Sequence, residues 1–473
     1  MIRRVYGAHP AMAVRIVKPF LFVLILPLIK GVLQYIATGE ATGVLTLEIF
    51  AAAALILSAV SGVRAFSVTV DGERLIIRRG LLFRSVSVIR RERLSSVTVR
   101  RGVLDVLTGA ATYTVNTEAG VAGKTDFSFK VGIKHAEELS HFLYGGGCGG
   151  EIRFPAIKTA LFAAATSSAV TGLLVGVPVV NNTARILGVA INRAFFGNIN
   201  RVNVEFGNFL PPAVNILTGV IITGYLASFT TTFLKMLRLR ICENEEKTEV
   251  RHGFFVRRRV IFKKSAINDL CVEQTPIMRL FGVFSLRAAV GGYGDRRGEK
   301  AVIVPAANRE NIERTLTDCF GFRKRDGIRA ERSRRIARRA LAPAVLLGAL
   351  DVAFVTLLSL SFPDAFELAA SVGAVIMAVN VYYASVCLRE CRLGVLCLGE
   401  ITVAVGRKGV GMREMYCKKD RIGEIKIIRT PADRLSGTCK VKLTVRSESA
   451  DSVKVRFLGY ADVIKEIEES KNK

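Results

Sequence analysis

The sequence has no tryptophan, only 4 histidines in 473 residues, and 9 cysteines with no Cys-x-x-Cys pair among them. Cys387, Cys391 and Cys397 do not follow the spacing of zinc ligands. No histidine lies near an acid or a nucleophile at a spacing typical of catalysis. The sequence therefore predicts neither a metal site nor a cofactor, and the cysteines are expected to be free thiols of a reducing compartment.

Signatures of common enzyme classes are also missing. There is no phosphate-binding GxxxxGK[ST] loop, and the glycine-rich stretches at 145–150 and 291–298 lack the strand–turn–helix context of a nucleotide site. There is no G-x-S-x-G nucleophile elbow. We expect no enzymatic activity.

Acidic residues are scarce relative to basic ones. The chain has 68 Lys and Arg against 40 Asp and Glu, a formal charge of +28, yet half of its residues are hydrophobic and its mean hydropathy is +0.35. A disordered basic chain would lack this apolar content, and a soluble domain rarely combines both biases. The composition indicates one set of residues for lipid and another for an anionic surface.

Six stretches are apolar over about the 20 residues that a helix needs to cross a bilayer. Short links join the first two and the last two, so three helical hairpins are predicted, the first helix being a retained anchor rather than a cleaved signal peptide. The six lie near 16–37, 42–62, 156–180, 210–235, 341–361 and 365–387.

The distribution of charge predicts the orientation of these helices. The N-terminus and the large loops carry an excess of Lys and Arg, whereas the first and third links contain only the acids Glu40 and Asp364. Basic segments stay on the cytoplasmic side. Both termini and all large loops are therefore expected there, although the middle link is mildly basic.

The large loops share one layout. When Gly80 is placed on Gly253, Arg84 meets Arg257 and Arg90 meets Lys263 without a gap, and Gly109 meets Gly282 further on. The C-terminal loop repeats the pattern more weakly, with Gly437 in the slot of Gly109. Strand-like alternation ends in a segment of helical spacing, which predicts three antiparallel β-modules, each closed by a helix.

The order RRGLLFR, LSSVTV and LTGAATYTV at 78–115 resembles the bacterial pleckstrin-homology-like (bPH2) domain of YdbS- and YdbT-like membrane proteins. The resemblance implies a split β-barrel with a capping helix, no catalysis, and a place in the bacterial inner (cytoplasmic) membrane. It also implies a part in envelope integrity or in resistance to membrane-active bacteriocins, together with a smaller YdbS-like partner. A homo-oligomer stays open as well.

The predicted architecture is a multi-domain, multi-pass membrane protein in which three transmembrane hairpins alternate with three α+β PH-like domains. Each domain is a curved antiparallel sheet, or split barrel, with a C-terminal helix. The hairpins are 1–63, 151–237 with an external loop at 181–209, and 341–387; the domains are 64–150, 238–322 and a divergent 388–473, and a polybasic juxtamembrane linker spans 323–340.

Clusters of basic residues are the candidate binding sites. The inner leaflet attracts a nearby Lys or Arg by about 1 kcal/mol, so these residues are predicted to contact anionic headgroups or a partner, unless they serve only to fix topology and solvate the sheet. Nucleic acid is a weak rival, because no aromatic residues interleave with the charges. The candidates are Arg84, Arg90, Arg91, Arg257, Arg258, Lys263, Lys264, Arg334, Arg335, Arg338 and Arg339.

Polar residues inside the spans are a second set of candidates, because a charge in lipid is costly unless it is paired or functional. Lys30 and Glu48 could pair within the first hairpin, and Asp351 could hydrogen-bond Asn380 in the third. An alternative function follows from the same residues, namely a transporter or export accessory protein that uses the intramembrane acids.

Overall fold

The computed structural model describes residues 4–14, 17, 20, 29–32, 35–37, 43–80, 84–117, 126–145, 149–168, 212–291, 293, 299–322, 327–361, 366–409, 411–446 and 451–472. These residues form two compact units. Unit 1 comprises Met1–Ile152, Arg240–Ala266 and Val290–Glu299, and unit 2 comprises Arg153–Leu239, Ile267–Ala289 and Lys300–Lys473.

The first sheet of unit 1 has four antiparallel strands in the order β1-β2-β3-β4. Val68, Val70, Leu75 and Ile77 are buried on one face, as their alternation in the sequence predicts. The strands are β1 (Arg4–Gly7), β2 (Ser67–Asp71), β3 (Arg74–Arg79) and β4 (Ser85–Arg90).

The second sheet of unit 1 has seven strands in the order β7-β6-β5-β11-β10-β9-β8, so β5 pairs with a strand far away in the sequence. Its inner face and the first sheet share one hydrophobic core, which includes Val97, Val99 and Ile261. The strands are β5 (Leu94–Arg101), β6 (Ala110–Thr117), β7 (Phe127–Gly132), β8 (Gly150–Arg153), β9 (Arg240–Glu243), β10 (Lys247–His252) and β11 (Arg257–Lys263).

The sheet of unit 2 follows the order β14-β13-β12-β18-β17-β21-β20-β19, and β16 pairs with both β15 and β17. The strands are β12 (Ile267–Gln274), β13 (Phe284–Val290), β14 (Ala301–Ala307), β15 (Ile328–Arg329), β16 (Val395–Cys397), β17 (Ile401–Lys408), β18 (Gly411–Lys418), β19 (Ile422–Ile428), β20 (Thr438–Val445) and β21 (Ser452–Gly459).

Short local elements recur at three places. A 3-10 turn precedes β5, β12 and β19, and a short helix follows each of these strands. Each short helix is followed by a glycine with φ between 65° and 70°, at Gly109, Gly282 and Gly437, a conformation that favours glycine. The turns are Arg91–Arg93, Lys264–Ala266 and Lys419–Arg421, and the helices are α2 (Val103–Thr108), α6 (Pro276–Leu280) and α10 (Pro431–Leu435).

Amphipathic helices close the sheets, as the helical spacing predicts. Leu139 and Leu143 of α3 are buried in the core of unit 1, and Ile312 and Leu316 are buried in unit 2. These helices are α3 (Ile133–Tyr144), α7 (Arg309–Arg314), which continues as a π-turn at Thr315–Cys319, and α11 (Tyr460–Asn472).

Helices also lie at the predicted membrane segments. Two described stretches, Arg334–Ser361 and Val372–Leu393, are long and apolar enough to cross a bilayer. The helices in these segments are α1 (Gly43–Arg64), α4 (Ala156–Thr166), α5 (Pro212–Met236), α8 (Arg334–Ser361) and α9 (Phe366–Leu393). The predicted external loop at 181–209 lies outside the described residues.

Among the described residues, seven cysteines are free thiols, as the sequence predicts: Cys271, Cys319, Cys387, Cys391, Cys397, Cys417 and Cys439. The same expectation is wrong for Cys242, which is disulfide-bonded. Cysteine spacing could not show this bond, since pairing depends on which strands the fold brings together.

Candidate functional site

A strand junction in unit 1 brings the predicted basic residues of two sequence regions together. In this junction β11 runs antiparallel to β5, with Ile261 opposite Val97 and Arg257 opposite Arg101. Both members of the apolar pair are buried in one core. The basic ends of the two strands therefore lie around a hydrophobic centre.

A cleft of about 260 Å³ lies beside this junction. Two of its side chains satisfy the carbonyl groups at the end of α3. Arg91 Nε donates to the carbonyl of Leu143 at 2.7 Å, and Lys247 Nζ donates to that of Tyr144 at 2.8 Å. The lining residues are Glu73, Arg91, Glu92, Leu143, Tyr144, Glu246, Lys247 and Lys263. A helix end that would otherwise lack partners is thereby capped by basic side chains.

Other predicted headgroup ligands are also engaged within the chain. Lys263 Nζ donates to the carbonyls of Arg91 and Glu92, at 3.0 and 2.9 Å. Lys264 forms an ion pair with Glu243 at 2.7 Å, and Arg258 lies 3.7 Å from Glu299. These contacts link the 3-10 turn Arg91–Arg93 and the strand ends to one another. The three basic residues therefore stabilise the fold of unit 1.

Three of the predicted residues of this region point to solvent. Arg84, Arg90 and Arg257 are exposed, and their side chains bond to no other described residue. Arg74 lies opposite Arg90 on β3, which adds a further exposed charge to the same sheet. These exposed arginines are available for contact with an anionic surface.

A second strand junction, in unit 2, repeats the backbone register of the first. Here β18 runs antiparallel to β12, with Tyr416 opposite Leu270 and Arg413 opposite Glu273. Tyr416 lies three residues before its 3-10 turn, as Ile261 does before its own. Leu270 lies three residues after the start of β12, as Val97 does in β5.

A buried ionic network fills this second junction. Lys300 Nζ lies 2.6 Å from Asp269 Oδ2 and 2.9 Å from Cys271 Sγ, and it also pairs with Asp451. Arg413 forms a two-pronged contact with the Asp451 carboxylate and donates from Nε to Cys271 Sγ at 3.2 Å. Each buried charge thus has an opposite charge beside it, which offsets its lost hydration.

The network shifts the pKa values of its acids. Burial alone would raise the pKa of Glu273, but Arg287, Lys408 and Arg413 lower it to about 2. Burial opposes Arg413 and Lys300 in the same way at Asp451, whose pKa falls to about 2. Both carboxylates are therefore ionised at neutral pH. Burial also raises the pKa of the Cys271 thiol, with Asp269 adding to the effect, so this thiol stays protonated.

Three groups of this network have the chemistry of metal ligands. One ligand atom each from Asp269, Cys271 and Asp451 lies within 4.8 Å of the others. The same three side chains contact Lys300 or Arg413. Cations of the chain itself therefore occupy the positions at which a metal ion would neutralise the carboxylates.

The predicted polybasic linker runs into a helix in the structure. Arg334, Arg335 and Arg338 are exposed on the first turns of α8. Arg339 instead binds α10, with Nη2 2.6 Å from Asp433 Oδ1 and Nη1 3.0 Å from Ser436 Oγ. One of the four predicted anion ligands thus anchors α8 to the neighbouring β-sheet region of unit 2.

The polar candidates of the apolar helices are placed differently from one another. Lys30 is exposed on a helical segment, and the side chain of Glu48 lies outside the described residues. Asp351 is buried. Asn380 Nδ2 donates to the carbonyl of Ala344 at 2.7 Å, which links α9 to α8 by a polar contact.

Glu390 is a buried acid that sequence reasoning missed. It lies near the end of α9, with Arg407 Nε at 3.6 Å and Arg456 Nε at 3.7 Å from its carboxylate oxygens. A charged residue within the cysteine-rich segment at 387–397 was the only signal in the sequence. Its partners come from β17 and β21, which local patterns could not connect to α9.

Comparison with known proteins gives one match. The family described as the bacterial PH domain matches residues 14–146 and 174–319. No curated protein matches the chain, and no solved structure matches it.

Proposed function

Because the chain belongs to the bacterial PH domain family, which matches more than half of its length, we propose that it is a non-enzymatic membrane scaffold. In this proposal three PH-like domains alternate with three transmembrane hairpins. The family match confirms the resemblance predicted from the motifs at 78–115. The sheets of both units and the two long apolar helices are consistent with a scaffold of this kind.

The strands that flank the apolar segments carry this proposal. β1 precedes the first pair of segments and β2 follows it, and the two strands are paired, with Gly7 opposite Ser67. β15 and β16 flank α8 and α9 in the same way, with Ile328 opposite Leu396. β8 and β9 are neighbours as well. A segment pair that leaves one sheet and returns to it begins and ends on the same side of a membrane.

The charge distribution supports the cytoplasmic side for the sheets. Lys and Arg accumulate in the segments that form them, as the positive-inside rule requires. The exposed arginines described above, including Arg84 and Arg257, would then lie near the anionic inner leaflet. We include anionic lipid headgroups among the partners of the protein on this ground.

The biological role in this proposal comes from the family resemblance. A YdbT-like protein would contribute to envelope integrity or to resistance against membrane-active bacteriocins, together with a smaller YdbS-like protein that carries one such domain. The transporter alternative would require a functional Asp351. The polar contact between Asn380 and Ala344 instead supports a packing role for polar groups in this helix pair.

Labelling of engineered thiols tests the topology. E137C, E310C and K465C place thiols at exposed positions of the three regions, and N182C lies in the predicted external loop. On intact cells, a membrane-impermeant maleimide should label N182C alone, and permeabilised cells should add the other three. The parent chain gives the background from native thiols. Strong labelling of E137C, E310C or K465C in intact cells would overturn the proposal.

A further inference from the structure

The two internal junctions use two of the three described strands that end at a 3-10 turn and two of the three that follow such a turn. One strand of each kind is left over at the edge of a sheet. In each junction, a strand that ends at a 3-10 turn (β11 or β18) pairs with a strand that follows an earlier turn (β5 or β12). The remaining strand that ends at such a turn is β4, and the remaining strand that follows one is β19. Among the described strands, β4 pairs only with β3 and β19 only with β20.

The register that both junctions share predicts which residues of β4 and β19 would lie opposite each other. The residue three before the turn lies opposite the residue three after the start of the other strand, as for Ile261 with Val97. By the same count, Val88 of β4 would lie opposite Ile425 of β19. Two residues along, Val86 would lie opposite Ile427. Both pairs are apolar and lie on one face, because side chains alternate along a strand.

The exposed fractions of the side chains show that β4 lacks the cover that the corresponding strands have in the internal junctions. Ile261 and Tyr416 are 3% and 1% exposed in the internal junctions, whereas Val88, at the corresponding position, is 56% exposed and Val86 is 58% exposed. Ile425 and Ile427 are half-buried at the margin of the core that surrounds β20. An apolar edge strand of this kind is a template for pairing with another chain.

We propose that β4 of one copy of this chain pairs with β19 of a second copy in this register, which rests on the three-domain arrangement proposed above. The partner is a second copy because each chain carries both of the leftover edge strands. One contact between two copies therefore covers β4 of one chain and β19 of the other. Arg90 corresponds in position to Lys263, because each is the last residue of its strand before a 3-10 turn. In the internal junction, the ammonium group of Lys263 donates to the carbonyls of the 3-10 turn that precedes β5. A head-to-tail contact of this type builds rings or linear arrays.

Cysteine cross-linking between two tagged copies tests the pairing. Full-length V88C with one tag and full-length I425C with another are co-expressed, and their membranes are oxidised with copper phenanthroline. Directly opposite residues in an antiparallel pair have Cβ atoms about 4.5–5.5 Å apart, close to disulfide reach. We expect a disulfide dimer that carries both tags, and the pair V86C with I427C should give the same product.

Each other outcome has a defined meaning. No two-tag product from either pair would overturn the proposal. V88C dimers with a single tag would indicate β4–β4 contact and overturn the register, and capture of a smaller protein by V88C would replace the second copy with a one-domain partner. E424C, which faces the opposite side of β19, should not cross-link to V88C. Thiol labelling reports sidedness independently, so failure here leaves the proposed topology standing.

A charge on the edge sharpens the test. V88K added to the V86C chain should abolish its cross-link to I427C, because a lysine at this position would enter the apolar face. V5K is the matched control, since Val5 lies on the edge strand β1 and is about as exposed as Val88. An undiminished cross-link with V88K would contradict edge pairing.

Discussion

The two internal strand junctions share one backbone register but differ in the side chains that occupy it. In unit 1 Arg258 lies opposite Arg100 beside an apolar pair, whereas in unit 2 Arg413 lies opposite Glu273 within a buried ionic network. The backbone pairing therefore does not depend on any one side-chain chemistry. The side chains buried in each junction instead determine which strand it accepts as a partner.

The charges also discourage exchange of strands between the junctions. If β18 paired with β5, Arg413 would lie opposite Arg100 rather than Glu273, and the buried acids of unit 2 would lose a partner. Leaving these buried acids without their cation disfavours the wrong partner by several kcal/mol. We infer that the ionic network makes the second junction specific rather than merely stable.

Removal of Arg413 should give the largest difference between the junctions. R413M leaves Asp451 and Glu273 buried with one cation fewer, and breaking a buried pair in this way costs about 3–5 kcal/mol in the free energy of unfolding. R258M, at the equivalent position of unit 1, removes the arginine that lies 3.7 Å from the partly exposed Glu299 and should cost less, about 1 kcal/mol. Pulse proteolysis of the full-length protein in detergent measures both costs. Equal losses would contradict the comparison.

Acid should weaken the second junction by the next largest amount. Glu273 and Asp451 have pKa values of about 2 in the folded chain, below their ordinary values of 4.5 and 3.8. Depressed folded values stabilise the protein fully above the ordinary pKa, and this stabilisation is lost as the pH falls from about 5 towards 2. Each carboxylate contributes on the order of 2 kcal/mol.

Limited proteolysis of the full-length protein between pH 7 and pH 3 measures this effect. As the pH is lowered, cleavage sites around β12 and β18 should become accessible to the protease before sites around β5 and β11 do. R413M should flatten the pH dependence, because it removes one cause of the depressed values. Simultaneous opening of both regions would show that the network does not set the acid response.

Much of the local structure could be predicted because it depends on short-range periodicity. Alternation identified the buried face with Val68 and Leu75, and the matched glycine offsets found Gly109 and Gly282, which both adopt positive φ. Apolar length located α8 and α9. Each of these features is fixed by residues close to one another in the sequence.

The pairing of β5 with β11 and of β12 with β18 could not be predicted in the same way. Two strands more than 100 residues apart meet only in the folded chain, and their alternation is the same whether they pair or not. The roles of the basic residues depend on that pairing. Lys263 resembles Arg90 in sequence context, yet Lys263 donates to backbone carbonyls while Arg90 is exposed.

The smallest predicted effect separates a structural lysine from a surface one. Lys263 ends β11 and donates to two carbonyls, so K263M should lower the free energy of unfolding by roughly 1 kcal/mol. K418M, at the equivalent position of β18, removes an exposed side chain and should change it by no more than about 0.5 kcal/mol. Both values are measured by pulse proteolysis in nanodiscs of neutral and of anionic lipid.

Lipid charge then distinguishes the structural role of Lys263 from headgroup binding. The cost of K263M should be the same in both nanodiscs, because the carbonyl partners belong to the chain. R84Q should have an effect only in anionic lipid, of about 1 kcal/mol, since Arg84 is exposed and bonds to no other described residue. A K263M effect confined to anionic lipid would make Lys263 a headgroup ligand. The first junction would then differ from the second in its contact with the membrane as well as in its buried charge.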